Sequence, residues 1–136
     1  MKNKFGFILI KPQLGENIGA CARSLKNFGF SKLSIVSPKQ SWPNNKAKAT
    51  SVGAYDIIKR AKIYDNTRDA ISNFNIVISF SARKRDINKK HISINQFLKI
   101  IKSKKNTKFG LMFGPEASGL SNDDLSLSNY ILQIPT

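Results

Sequence analysis

Short apolar runs alternate with amphipathic segments along the chain. Phe5-Gly6-Phe7-Ile8-Leu9-Ile10 reads as a buried strand closed by Lys11-Pro12. The loop Gln13-Leu14-Gly15-Glu16-Asn17 leads into a helix that places Ile18, Cys21, Ala22, Leu25 and Phe28 on one face. Gly29 ends that helix, and Leu33-Ser34-Ile35-Val36 forms the next strand, stopped by Pro38. Ser41 to Lys48, with Trp42-Pro43 and two asparagines, reads as a mobile excursion. After Gly53 a helix is expected up to Arg60, then a short strand at Lys62-Ile63-Tyr64 and a short helix from Thr67 to Phe74. Ile76 to Phe80 reads as a fully buried strand. Ile94 to Lys102 is amphipathic, with Phe97, Leu98 and Ile101 expected inward, and Phe109–Phe113 and Tyr130–Ile134 complete the strands. Apolar strands separated by helices imply a doubly wound α/β domain: a parallel sheet flanked by helices on both faces.

Composition narrows the chemistry. At 136 residues the chain suits one domain with a single core. No apolar run approaches the roughly 20 residues that span a bilayer, and no signal peptide precedes Phe5, so a cytoplasmic protein without membrane contact is expected. Cys21 is the only cysteine, which excludes a disulfide framework and a multi-cysteine metal site. His91, the only histidine, sits beside Lys89-Lys90 and reads as a solvated loop residue, so a histidine metal centre or a Ser/His/Asp triad is not expected. The formal net charge of +15 points to a polyanion partner. Lysine outnumbers arginine 18 to 5, however, and an A/T-rich genome inflates lysine with no binding role.

Three segments follow predicted strands and can meet at one edge of the sheet. The first, Asn17-Ile18-Gly19-Ala20-Cys21-Ala22-Arg23, is either an asparagine cap followed by a solvated arginine or, if the loop folds back, two groups of one pocket. The second, Phe80-Ser81-Ala82-Arg83-Lys84-Arg85, is either a basic loop in water or one whose amides meet a ligand while its cations meet phosphates. The third runs from Gly114 to Ser121. Gly114-Pro115 breaks the strand, Glu116 supplies one carboxylate, Gly119 turns the chain, and Ser121 with Asp124 resembles a helix-opening cap. Open α/β sheets bind their ligands at such carboxyl ends.

Asn17-x-Gly19-x-x-x-Arg23, Phe113-Gly114-Pro115-Glu116-x-x-Gly119-Leu120 and the final Ile134-Pro135 together resemble the SpoU/TrmH branch of the SPOUT RNA 2'-O-methyltransferases over essentially the whole chain. Val52-Gly53-Ala54-Tyr55-Asp56 and Ser79-Phe80-Ser81-Ala82-Arg83 look most like the members that methylate nucleotide 32 of the tRNA anticodon loop. The resemblance implies a parallel sheet with a C-terminal trefoil knot, an exception to the usual absence of knots. It also implies S-adenosylmethionine as cofactor, and a homodimer that builds each active site from both subunits. Phe80, Ser81, Ala82, Phe113, Gly114, Glu116, Gly119, Leu120, Ile134 and Pro135 would hold the cofactor. Glu116 would accept from the methionyl ammonium or steady Arg23, and Asn17 would orient the substrate or that arginine. Arg23 is the family's candidate for activating the hydroxyl. A guanidinium rarely loses its proton, so binding the target phosphate and stabilising a developing alkoxide suits it better. Arg23, Arg83, Lys84 and Arg85 would meet RNA.

Members of this branch continue past the Ile-Pro strand into a Ser-Leu-Asn-type loop and a closing helix. This chain stops at Thr136, so these residues are expected to lack the knot-closing motif, whether as a fragment or as a protein without it. Two alternatives within the fold are a catalytically inactive RNA-binding module and a ribosomal-RNA methyltransferase. A generic nucleotide-binding Rossmann enzyme is disfavoured: no G-x-G-x-x-G follows the first strand, and no P-loop is present.

Overall fold

The structure, a computed structural model, describes residues 4–82 and 85–134. Its elements in chain order are β1 (Phe5–Ile10), α1 (Gly15–Asn27), β2 (Leu33–Val36), α2 (Asn45–Thr50), α3 (Tyr55–Arg60), β3 (Lys62–Tyr64), α4 (Thr67–Ile71), β4 (Ile76–Ser81), β5 (Lys90–Ile92), α5 (Ile94–Ser103), β6 (Phe109–Phe113), α6 (Asn122–Ser126) and β7 (Tyr130–Gln133). Among the described residues the strands form one seven-stranded sheet in the order β3-β2-β1-β6-β4-β7-β5. Every neighbouring pair is parallel. The expected α/β class with a parallel sheet is therefore what the chain adopts.

Both faces of the sheet are covered, which is why the central strands carry almost no polar residues. On one face Ile18, Ala22 and Leu25 of α1 pack with Ile35, Ala47, Ile57 and Ile58. Ile8, Ile10, Met112, Leu125 and Ile131 form a second cluster, and Phe5, Ile78, Phe109 and Leu132 a third. The fully covered side chains Ile8, Ile35, Ile78, Phe109, Met112 and Ile131 sit on five different strands, so burial ties the sheet together across its width.

Several local expectations change. The second half of the segment expected as a mobile excursion, from Asn45, belongs to α2, because the Asn44 side chain accepts the backbone N–H groups of Lys46 and Ala47 and caps the helix. His91 lies in the short edge strand β5, not in a loop, and its side chain is exposed. Phe28 is the residue that closes α1 and stands 68% exposed instead of joining the buried face. On α5 the inward residues are Phe97, Ile100 and Ile101, while Leu98 is 47% exposed. That helix opens with a reciprocal capping box between Ser93 and Gln96. No helix among the described residues is long and apolar enough to cross a membrane.

Candidate functional site

Three loops leave the carboxyl ends of neighbouring strands β1, β6 and β4, and the chain after β7 joins them. The parallel register places Phe80 of β4 level with Phe113 of β6, extending the Ser79–Met112 pairing. Their rings stack with centroids 4.7 Å apart and planes 15° from parallel. The Ile134 N–H donates to the Ser81 carbonyl at 2.8 Å, which draws the chain end onto the β4 loop.

The loop after β6 is shaped by its glycines. A side chain on Gly114 would run into the backbone of Gly119 and Leu120, so the two ends of the loop touch as only glycine permits. Gly119 turns the chain with φ +71, and its N–H donates to the Pro115 carbonyl at 2.9 Å. Ser121 then caps α6 by accepting the Asp124 N–H. Arg85 holds the neighbouring loop against this one, its Nη2 donating to the Leu120 carbonyl at 2.7 Å and to Asn122 Oδ1 at 3.3 Å.

Between these loops lies a cavity of about 550 Å³. Phe80, Ser81, Ala82, Phe113, Gly114, Glu116, Gly119 and Ile134 line it, with Arg85 at its side. Leu120 lies beneath, 3% exposed, and packs into the core. Pro135, Arg83 and Lys84, also expected at the site, lie outside the described residues.

Glu116 also faces a second cavity of about 730 Å³, bounded by Gln13, Leu14, Asn17, Lys39 and Gln40. The carboxylate thus stands in the wall between two cavities. It is held from the β1–α1 connection: Asn17 Nδ2 donates to Glu116 Oε2 at 3.1 Å. The Gln13 N–H approaches both carboxylate oxygens, at 3.4 and 3.2 Å. In return Gln13 Oε1 accepts the Ala117 N–H at 2.9 Å. Gln13 is the contributor that sequence reasoning missed. It stood in the loop singled out, yet a glutamine carries no chemical signature until its partner's position is known.

Asn17 is not the helix cap. Leu14 occupies that position, with no side-chain hydrogen bond, and Asn17 lies inside the first turn, where its amide is free for Glu116. Arg23 is not brought to the same place. From Asn17 it lies about 9 Å along the axis and some 240° around the helix, at 1.5 Å and 100° per residue. Its side chain is exposed and has no acidic partner among the described residues. A third, apolar cavity of about 460 Å³ lies between α1 and the ends of β1 and β6, with Cys21, Phe28, Phe30 and Phe113 on its walls. Burial there pushes the Cys21 thiol from its ordinary 9.0 up to about 11. Among the described residues no group of three or more His, Cys, Asp or Glu is placed to hold a metal ion.

A parallel sheet with a ligand-sized cavity between its carboxyl-end loops defines a doubly wound, ligand-binding class of α/β protein. The chain belongs to the SpoU rRNA Methylase family, which it matches over residues 4–136. It is 38% identical over 133 residues to the tRNA (cytidine-2'-O-)-methyltransferase TrmJ of Methanocaldococcus jannaschii, covering 95% of this chain and 56% of that protein. It is 33% identical to the tRNA (cytidine/uridine-2'-O-)-methyltransferase TrmJ of Sodalis glossinidius, covering 99% of this chain and 53% of that one. The crystal structure of TrmJ from Z. mobilis superposes with a TM-score of 0.89 at 34% identity, over 96% of this chain and 58% of that chain. The chain therefore spans about half the length of the curated relatives it matches.

Proposed function

We propose that the protein transfers a methyl group from S-adenosylmethionine to a ribose 2'-hydroxyl of tRNA, in the anticodon loop at nucleotide 32, acting as a cytoplasmic homodimer. The observation that carries the reading is the cavity between the β4, β6 and β7 ends. Its volume of about 550 Å³ suits a cofactor of this size, and Gly114 lets the two ends of the loop that lines it pack backbone against backbone. The family and the relatives' tRNA 2'-O-methyltransferase names support the reaction class.

When bound, S-adenosylmethionine supplies an electrophilic methyl group on a sulfonium. The chain's own residues position and neutralise. Phe80, Ser81, Phe113 and Gly114 would line the cofactor side. The 730 Å³ cavity across Glu116, with Lys39 at its rim, suits the target nucleotide and its phosphate. Glu116, fixed by Asn17 and Gln13, holds the wall that the two cavities share and would keep cofactor and substrate sides in a fixed relation. Arg23, a permanent cation, binds a substrate phosphate and stabilises the developing alkoxide, while the hydroxyl proton passes to solvent water and the sulfonium leaves as the neutral thioether. Because Arg23 lines none of the cavities described above and helix geometry turns it away from Asn17, we assign it to the active site of a second protomer. The test is Arg23→Ala in the intact protein: methyl transfer to tRNA falls by 100-fold or more while affinity for S-adenosylmethionine holds. Equal loss of both, or neither, would overturn this assignment.

A further inference from the structure

The amino-terminal ends of the strands carry a site of their own. A cavity of about 400 Å³ opens beside the starts of β2, β3 and β6, at the opposite end of the sheet from the cofactor loops. Lys32, Arg60, Lys62 and Lys108 line it, with Tyr64 and Asn73 between them. None of the chain's eight carboxylates does. Asp56 is tied to this wall only from outside, through Arg60 Nη2 at 3.1 Å and Lys26 Nζ at 2.9 Å. The Lys62 and Lys108 ammonium groups are exposed and have no acidic partner among the described residues. A concave, hydrogen-bonding lining in which Lys62 and Lys108 have no acidic partner among the described residues is built for an anion and is unlike lysines scattered by genome bias.

Resting on the RNA methyltransferase reading above, we propose that this cavity and its two exposed lysines, Lys62 and Lys108, bind two neighbouring backbone phosphates of the RNA substrate. A strand of five residues such as β6 spans about 16 Å at 3.3 Å per residue, so the two ends of the sheet are too far apart for one nucleotide. A polynucleotide reaches both, and the basic cavity fixes where its remote arm lies while the target ribose enters at the other end. The contact is to phosphate, so it sets affinity and orientation and reads no base.

The test is binding of unmodified tRNA by the intact protein across a salt series, comparing wild type, the double variant Lys62→Ala/Lys108→Ala, and a control, Lys102→Ala/Lys105→Ala, at exposed lysines of the α5 end that line none of these cavities. Two lost phosphate contacts reduce the slope of log K against log salt by about 1.5, with roughly tenfold weaker binding at physiological salt. In transfer assays the KM for tRNA rises in proportion and kcat is unchanged. The control changes the slope by less than half as much, and Lys62→Arg/Lys108→Arg retains the wild-type slope. An unchanged slope in the first variant, or equal losses in both alanine pairs, would overturn the proposal. Because the binding series needs no methyl transfer, a specific slope change without transfer would sink the enzymatic reading and leave this site standing. Transfer with an unchanged slope would do the reverse.

Discussion

Asn17 and Glu116 are separated by 99 residues of sequence, yet the amide of one donates to the carboxylate of the other at 3.1 Å. That bond joins the first turn of α1 to the loop after β6, and with the two Gln13 contacts it closes the wall between the two cavities. Both side chains are exposed, so its worth is modest. A double-mutant cycle of Asn17→Ala and Glu116→Ala in thermal or denaturant unfolding should give a coupling of about 1 kcal/mol. Strict additivity would show that the contact does not hold the wall in solution.

Gly114 should tolerate no side chain without loss of the cofactor side. Valine there collides with the backbone of Gly119 and Leu120, and the loop can only open. The strands beneath do not depend on it, so Gly114→Val should fold, with a melting temperature within a few degrees of wild type. Its affinity for S-adenosylmethionine, measured by calorimetry, should fall by tenfold or more. Unchanged affinity would place the cofactor elsewhere.

The position of Arg23 makes a sharper prediction. If each site takes Arg23 from a second protomer, Arg23→Ala and Gly114→Val damage different halves of one site. Mixing the two inactive variants under subunit exchange should restore up to about a quarter of wild-type transfer, since half the dimers are mixed and each holds one intact site. No recovery, with mixed dimers shown to form, would return Arg23 to its own chain's chemistry.

Cys21 should be slow toward thiol reagents. With its thiol raised to about 11, its thiolate at pH 8 is about 100-fold scarcer than that of a thiol at the ordinary 9.0. Alkylation of the folded protein should therefore climb steeply between pH 9 and pH 11, and unfolding should abolish the lag. The sign for stability follows from the same shift. The folded state holds its proton more tightly, so this contribution is complete below pH 9 and is lost as pH rises towards 11. Rapid alkylation at pH 8 without unfolding would contradict the burial.

The central strands were legible because burial on both faces forces continuous apolar runs, as in Phe5–Ile10 and Phe109–Phe113. The strand β5 was not: Lys90-His91-Ile92 is an edge element of three residues with two exposed polar side chains, held by pairing with β7. The helix α2 escaped for a related reason, since its stability comes from the Asn44 cap and the packing of Ala47, not from an apolar periodicity. At the site, the Gly114–Leu120 loop announced itself through glycine and proline. The pairing of Asn17 with Glu116 and the turning away of Arg23 depended on where α1 begins, and a start at Gly15 with Leu14 as cap leaves no side-chain signal to read.

Ribose methylation by this protein is testable in a single experiment. The intact protein is incubated with labelled S-adenosylmethionine and unmodified tRNA transcripts, the RNA is cut by a base-specific ribonuclease, and the labelled fragment and its labelled nucleoside are identified by mass. The account predicts a 2'-O-methylated pyrimidine nucleoside from the anticodon loop. Label on a base, or no label although tRNA is bound, would contradict it.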